Sequence, residues 1–202
     1  MRKIFIIIFI SYSGIALAQP ISEPPFKYFG FQAGVNISNM NFNLGSTAPD
    51  TAIKSAWKPG FTIGFILEIP ISEKFSLQPE YSFSSRSGTN NSIGVDYRLD
   101  YLSMPLLLKY LVSDKFDFFA GPQFELLINA HSIDNGEKVD ITHIVEERSI
   151  GVVCGLDVFI TDEVFISARY FQGFNNIGIY QRSSDVKEFK YQLASLTAGI
   201  RF

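Results

Sequence analysis

The chain of 202 residues contains a single cysteine, Cys154. One thiol cannot close an internal disulfide, so the fold is not held by a cross-link. Cys154 falls among alternating apolar residues and reads as a small buried hydrophobe. Histidine is almost as scarce, with two in the chain. His131 and His143 lie far apart in one polar stretch with Asp134, Glu137, Asp140, Glu146 and Glu147. That spacing does not gather metal ligands, and it reads as a solvated acidic loop. There is no G-x-S-x-G nucleophile motif. Neither sign of charge dominates: the net charge is −3, which excludes the basic footprint of a nucleic-acid binder. After the N-terminal leader, no apolar run approaches the roughly 20 residues of a membrane-spanning helix.

What is present begins with an export signal. Arg2 and Lys3 form a charged start, residues 4–10 (IFIIIFI) an apolar run, and Ala16-Leu17-Ala18 a small-residue cleavage site. Cleavage after Ala18 would leave Gln19 first. The organisation expected is a signal peptide over 1–18, an extended Pro-rich lead over 19–27 and one β-domain over 28–202.

Aromatic residues make up 15% of the chain, including 20 Phe, a composition suited to strands. The stretch 101–110 (YLSMPLLLKY) shows the pattern. Leu102, Met104, Leu106, Leu108 and Tyr110 share one face, and Tyr101, Ser103, Pro105, Leu107 and Lys109 share the other. A period of two is that of a strand. The same alternation recurs near 28–37, 57–69, 75–85, 116–128, 149–160, 164–171 and 191–202. This makes eight strands, an even number, as bacterial membrane barrels have. Three connections are tight and alike: 71–75 (ISEKF), 112–116 (VSDKF) and 160–164 (ITDEV). The other four, near 38–55, 87–98, 129–148 and 172–190, read as long polar loops.

Short turns at one end and long loops at the other mark an eight-stranded antiparallel up-and-down transmembrane β-barrel, with turns in the periplasm and loops outside the cell. A soluble eight-stranded barrel would put its apolar face inward. Here one face carries glycine, glutamine, serine and charges of both signs, and the other is almost wholly aliphatic and aromatic. A small, polar inner face and a lipid-facing apolar one fit a membrane better than water. Prolines 79, 105 and 122 lie within strands, where bulges or local breaks are expected.

Parity then assigns an inward charge set: Glu68, Glu80, Lys109, Asp117, Glu125, Asp157, Arg169 and Arg201. Lys109 is expected across a turn from Asp117, and Arg169 within about one pair of Asp157. Eight strands leave an interior that side chains fill, which argues against a diffusion pore.

The strand YLSMPLLLKY resembles the Y-L-x-x-P-L-L-L-K-Y strand of the PorT-like outer-membrane β-barrel family of Bacteroidetes. Leu77-Gln78-Pro79-Glu80-Tyr81 resembles the strand before it, and Ala120-Gly121-Pro122 the strand after it. The resemblance implies a barrel in the bacterial outer membrane. Its founding member is linked to protein secretion across that membrane. Phe202, with Ile200 two residues before it, is similar to the C-terminal aromatic signal read by the barrel-assembly machinery.

The function expected is therefore a non-enzymatic outer-membrane barrel. It would be an accessory to secretion or envelope assembly, or a protein whose long loops meet extracellular ligands. Its partners would be outer-membrane lipid, the assembly machinery and secretion components, with no nucleic acid. No cofactor, metal or catalytic residue is assigned. The second reading is a small barrel enzyme acting on outer-membrane lipid at the extracellular rim. His131 and Ser132 are the nearest candidates, but neighbours in a strand point to opposite sides.

Overall fold

The computed structural model describes residues 27–44, 55–91, 94–134, 136–179 and 187–202. The leader, its cleavage site and the lead up to residue 26 lie outside the described residues. Among the described residues ten strands form: β1 (Tyr28–Asn41), β2 (Ser55–Pro70), β3 (Phe75–Asn90), β4 (Val95–Ser113), β5 (Phe116–Asp134), β6 (Glu137–Asp140), β7 (Arg148–Phe159), β8 (Val164–Gly173), β9 (Ile177–Ile179) and β10 (Lys187–Arg201). Eight of them close a barrel in the order β1-β2-β3-β4-β5-β7-β8-β10, all neighbours being antiparallel, and β10 returns to β1. The short β6 and β9 extend the wall from β5 and β10. The Phe202 amide donates to the Phe29 carbonyl at 2.8 Å and sews the last residue to the first strand.

The similarity of the three tight turns has a local cause. In each, the hydroxyl accepts from a backbone amide: Ser72 from Phe75 at 3.2 Å, Ser113 from Lys115 at 3.4 Å, and Thr161 from Val164 at 3.0 Å. A side chain that mimics a turn carbonyl lets the chain reverse in few residues.

The strands run further than their alternation suggests. The second of the expected long loops is largely absent. β3 and β4 stay paired out to Asn90 opposite Val95, and Gly94 takes a left-handed φ of 71° beside the turn. Part of the third loop is likewise a hairpin, with Asp134 opposite Glu137 and Gly136 at φ 86°. Serine, glycine and asparagine have low strand propensity, so 87–90 reads as loop; pairing with β4 overrides it.

Pro79, Pro105 and Pro122 break the ladder without shifting it. Regular pairing is skipped at Leu67 and Glu68 opposite Pro79 and Gln78, at Glu80 and Tyr81 on the other edge of β3, and at Leu106 and Leu107 in β4. The register resumes unchanged each time. The register shifts fall elsewhere, between Trp57 and Phe61 around Pro59, at Asp100/Tyr101, and at Leu111/Ser113.

The outer face is the apolar one. Phe31, Val35, Ile63, Phe65, Leu108, Phe118, Phe124 and Leu196 are all exposed. Cys154 is exposed on this face too, contrary to the buried position expected of it. The inner face is polar with aromatic insertions that parity alone did not stress. Phe119 and Phe165 lie over the inward-facing glycines opposite them, Gly155 and Gly199. A methyl at Gly155 would come within 2.5 Å of the Phe119 ring, so glycine is needed there for close approach.

Candidate functional site

Within the membrane-level barrel the inward charges are arranged in tiers along the axis. The lowest lies above the tight turns. Strands β2, β4, β5 and β7 bring Glu68, Lys109, Asp117 and Asp157 to one level. Lys109 Nζ stands 2.8 Å from Asp157, 3.2 Å from Asp117 and 3.7 Å from Glu68. Arg201 from β10 reaches Glu68 at 3.4 Å, and its guanidinium lies 4.1 Å over the Phe159 ring and 4.2 Å over the Tyr28 ring. The register sets Lys109 opposite Phe119 and Asp117 opposite Leu111, so the expected Lys109–Asp117 contact is diagonal rather than direct. Lys109 is 3% exposed and serves three carboxylates at once.

The middle tier centres on Glu80. It accepts from Arg169 Nη1 at 2.6 Å, Gln32 at 2.9 Å and Gln78 at 2.5 Å. Arg169 sits opposite Gly155, one inward position from the level of Asp157. It crosses the lumen to Glu80 instead of pairing with Asp157, and its Nε donates to Ser167 at 2.9 Å.

The upper tier contains the residue that sequence reasoning missed. Arg86, 1% exposed, donates Nη1 to Glu125 at 2.8 Å and Nη2 to the other carboxylate oxygen. Gln123 and Ser103 also donate to Glu125, at 2.6 and 3.1 Å. The guanidinium lies among the rings of Tyr101, Phe171 and Tyr191, 5.1 to 5.4 Å from their centroids. Arg86 lies one residue beyond the expected end of its strand. Its parity with Glu80 was the available signal.

Above this tier the polarity of the wall reverses. In β4, Tyr97, Leu99 and Tyr101 point inward and are buried, while Arg98 points outward and is exposed. Below, Ser103 and Lys109 point inward and Leu106 and Leu108 outward. β4 and β5 each have 19 residues, whereas a tilted strand crosses a bilayer in about 9–11. The excess forms a water-facing extension that obeys the soluble rule, apolar inside and polar outside. Its core of Met40, Phe42, Leu99, Ile141, Ile177 and Phe189 stoppers the outer end of the lumen.

Among the described residues, cavities lie at two levels of the lumen. One of about 40 Å³ lies between the middle and upper tiers, beside Arg86 and Arg169. The other, about 220 Å³, occupies the mouth on the tight-turn side and is floored by Lys109, Glu68 and Asp117.

The third-loop residues lie along the β5–β6 hairpin and the segment after it. Among the described residues no three of His, Cys, Asp and Glu converge as metal ligands. His131 lies opposite Asp140 in the β5–β6 hairpin, and Ser132 opposite Val139. The Thr142 amide, at 2.8 Å, holds the Asp140 carboxyl below its ordinary range. Ile200 and Phe202 both lie on the outer face, 37% and 66% exposed.

A closed eight-stranded barrel, apolar without and charged within, with aromatic residues on its outer surface, is a transmembrane β-barrel of the small outer-membrane class. The chain belongs to the outer membrane protein beta-barrel domain family, whose family model matches residues 17–178. Membership places it in the outer membrane. Among solved structures it is similar to Neisserial surface protein A, at 15% identity over 86% of this chain and 97% of that one, with a TM-score of 0.52. It is similar also to Ail of Yersinia pestis, at 14% identity over 87% and 98%, with a TM-score of 0.50. At these identities the likeness is one of fold. No match was found among curated proteins.

Proposed function

We propose that this protein is a PorT-like, non-enzymatic barrel that acts through its surfaces, as an accessory to secretion or envelope assembly or by contact with extracellular ligands. The observation that carries this reading is the lumen. Ion pairs fill it at three levels and an apolar core stoppers its outer end, so solute passage is not the task its interior is built for. The extension above the bilayer is then the part presented to partners. Export rests on the leader over 1–18, removed after Ala18, with 19–27 as a periplasmic lead and 28–202 as the barrel. Ile200 and Phe202 present the aromatic end that the barrel-assembly machinery would read. A strain lacking the protein tests the proposal. Secreted proteins should accumulate in its periplasm, or surface proteins should be lost, while lipid A and phospholipid composition stay unchanged. Altered lipid composition with normal secretion would favour the rim enzyme instead.

A further inference from the structure

We propose that the periplasmic mouth of the lumen is a binding site for a primary ammonium group, with Asp117 as its acceptor. Three buried carboxylates, those of Glu68, Asp117 and Asp157, share two cations, Lys109 and Arg201. The group therefore carries an excess negative charge in a place poor in water. Such a charge is costly unless a cation or a set of donors meets it. The deficit falls on Asp157, whose Oδ1 is buried without a hydrogen-bond partner, and on Asp117, and of the two Asp117 is the one that lines the cavity. Its Oδ2 faces Lys109 at 3.2 Å, while its Oδ1 is buried and has no hydrogen-bond partner. The residue is 4% exposed, and it lines the cavity of about 220 Å³ at the mouth.

The chemistry of that cavity selects the ligand. Of the ionisable residues lining it, five are acids and four are bases, before Asp157 on the far side of Lys109 is counted. The carboxylates do not converge as metal ligands do, and Lys109 already occupies the point where they come closest. A bare divalent ion would displace that pairing. An ammonium group needs less: one N–H donated to one carboxylate oxygen makes a charge-assisted hydrogen bond. Pro70 and Leu111 at the edge of the cavity supply apolar contact for a short alkyl stem.

The test is a titration of the folded, full barrel in detergent micelles, with ¹³C-labelled aspartate carboxyls followed by NMR. Ethylammonium should shift the Asp117 carboxyl saturably, and the same concentration of sodium chloride should not. Tetramethylammonium has the charge but no N–H donor, and should bind about tenfold or more weakly, the scale of one charge-assisted hydrogen bond. Asp117→Asn should abolish the accompanying saturable shift of the neighbouring Asp157 carboxyl, while Glu163→Gln, outside the cavity, should preserve the shift at Asp117. No shift with ethylammonium would overturn the proposal, and so would an equal shift with tetramethylammonium or sodium, which would mean screening alone. A tighter response to magnesium would overturn it in favour of a metal. The wild-type titrations decide the matter even if the Asp117 variant does not fold.

Discussion

Arg86 and Glu125 are the pair on which the interior depends most clearly, because each is almost fully buried and they face each other through two nitrogens and two oxygens. Removing one partner leaves a stranded charge among aromatic rings, at a cost of about 3–5 kcal/mol. Removing both leaves none. We expect Arg86→Met to lower the urea unfolding midpoint of the barrel sharply, and Arg86→Met with Glu125→Leu to recover most of the loss. Additive losses in the double variant would mean that the two side chains do not act as a pair. Lys109 would give a blunter answer, since deleting it strands Asp117 and Asp157 and leaves Glu68 with Arg201 alone, so neutralising any one carboxylate helps only in part. Parity alone was sufficient to bring Glu68, Glu80, Asp117, Glu125 and Asp157 inside, because a strand has only two faces. It could not choose partners across the lumen. Arg169 was expected near Asp157 and does lie near it, yet its charge goes to Glu80 on a distant strand. Partner choice depends on the radius and stagger of the closed barrel, which no single strand encodes.

Element boundaries were legible where the composition of a strand is apolar on one side and illegible where it is not. The stretch Ser82 to Asn90 is rich in serine and ends in glycine, threonine and asparagine, the chemistry of a turn. Its pairing with β4 is nevertheless continuous from Ser82 opposite Ser103 to Asn90 opposite Val95. The partner strand held the missing signal. In β4 the apolar positions change face near Tyr101, which is how a strand looks when it leaves lipid and enters water with its core still inside. The extension is therefore predicted to be ordered. Backbone amides of 84–90 and 95–101 that bond across β3 and β4 should resist hydrogen exchange to a degree close to that of the membrane-level strands. Exchange as fast as that of an unstructured peptide would show that the second connection is a loop after all.

For the molecule as a whole, the two opposite polarity patterns stacked along one wall explain why the mean hydropathy is a mild +0.15 although a wide apolar band faces lipid. The membrane-level half hides charge inside, and the outer half hides apolar side chains inside. Stacking them gives a barrel closed twice over, by ion pairs and then by a packed core. The eight-strand count, the tight turns and the inward charge set could be read from alternation because each is a local property. The stopper could not, since Met40, Leu99, Ile141, Ile177 and Phe189 come from segments that meet only on closure. Single-channel recording in planar lipid bilayers tests the central claim most directly. Purified wild-type monomer should show no steady conductance at moderate voltage. Stable, ion-selective channels from the monomer would contradict the closed lumen and return the protein to the class of pores.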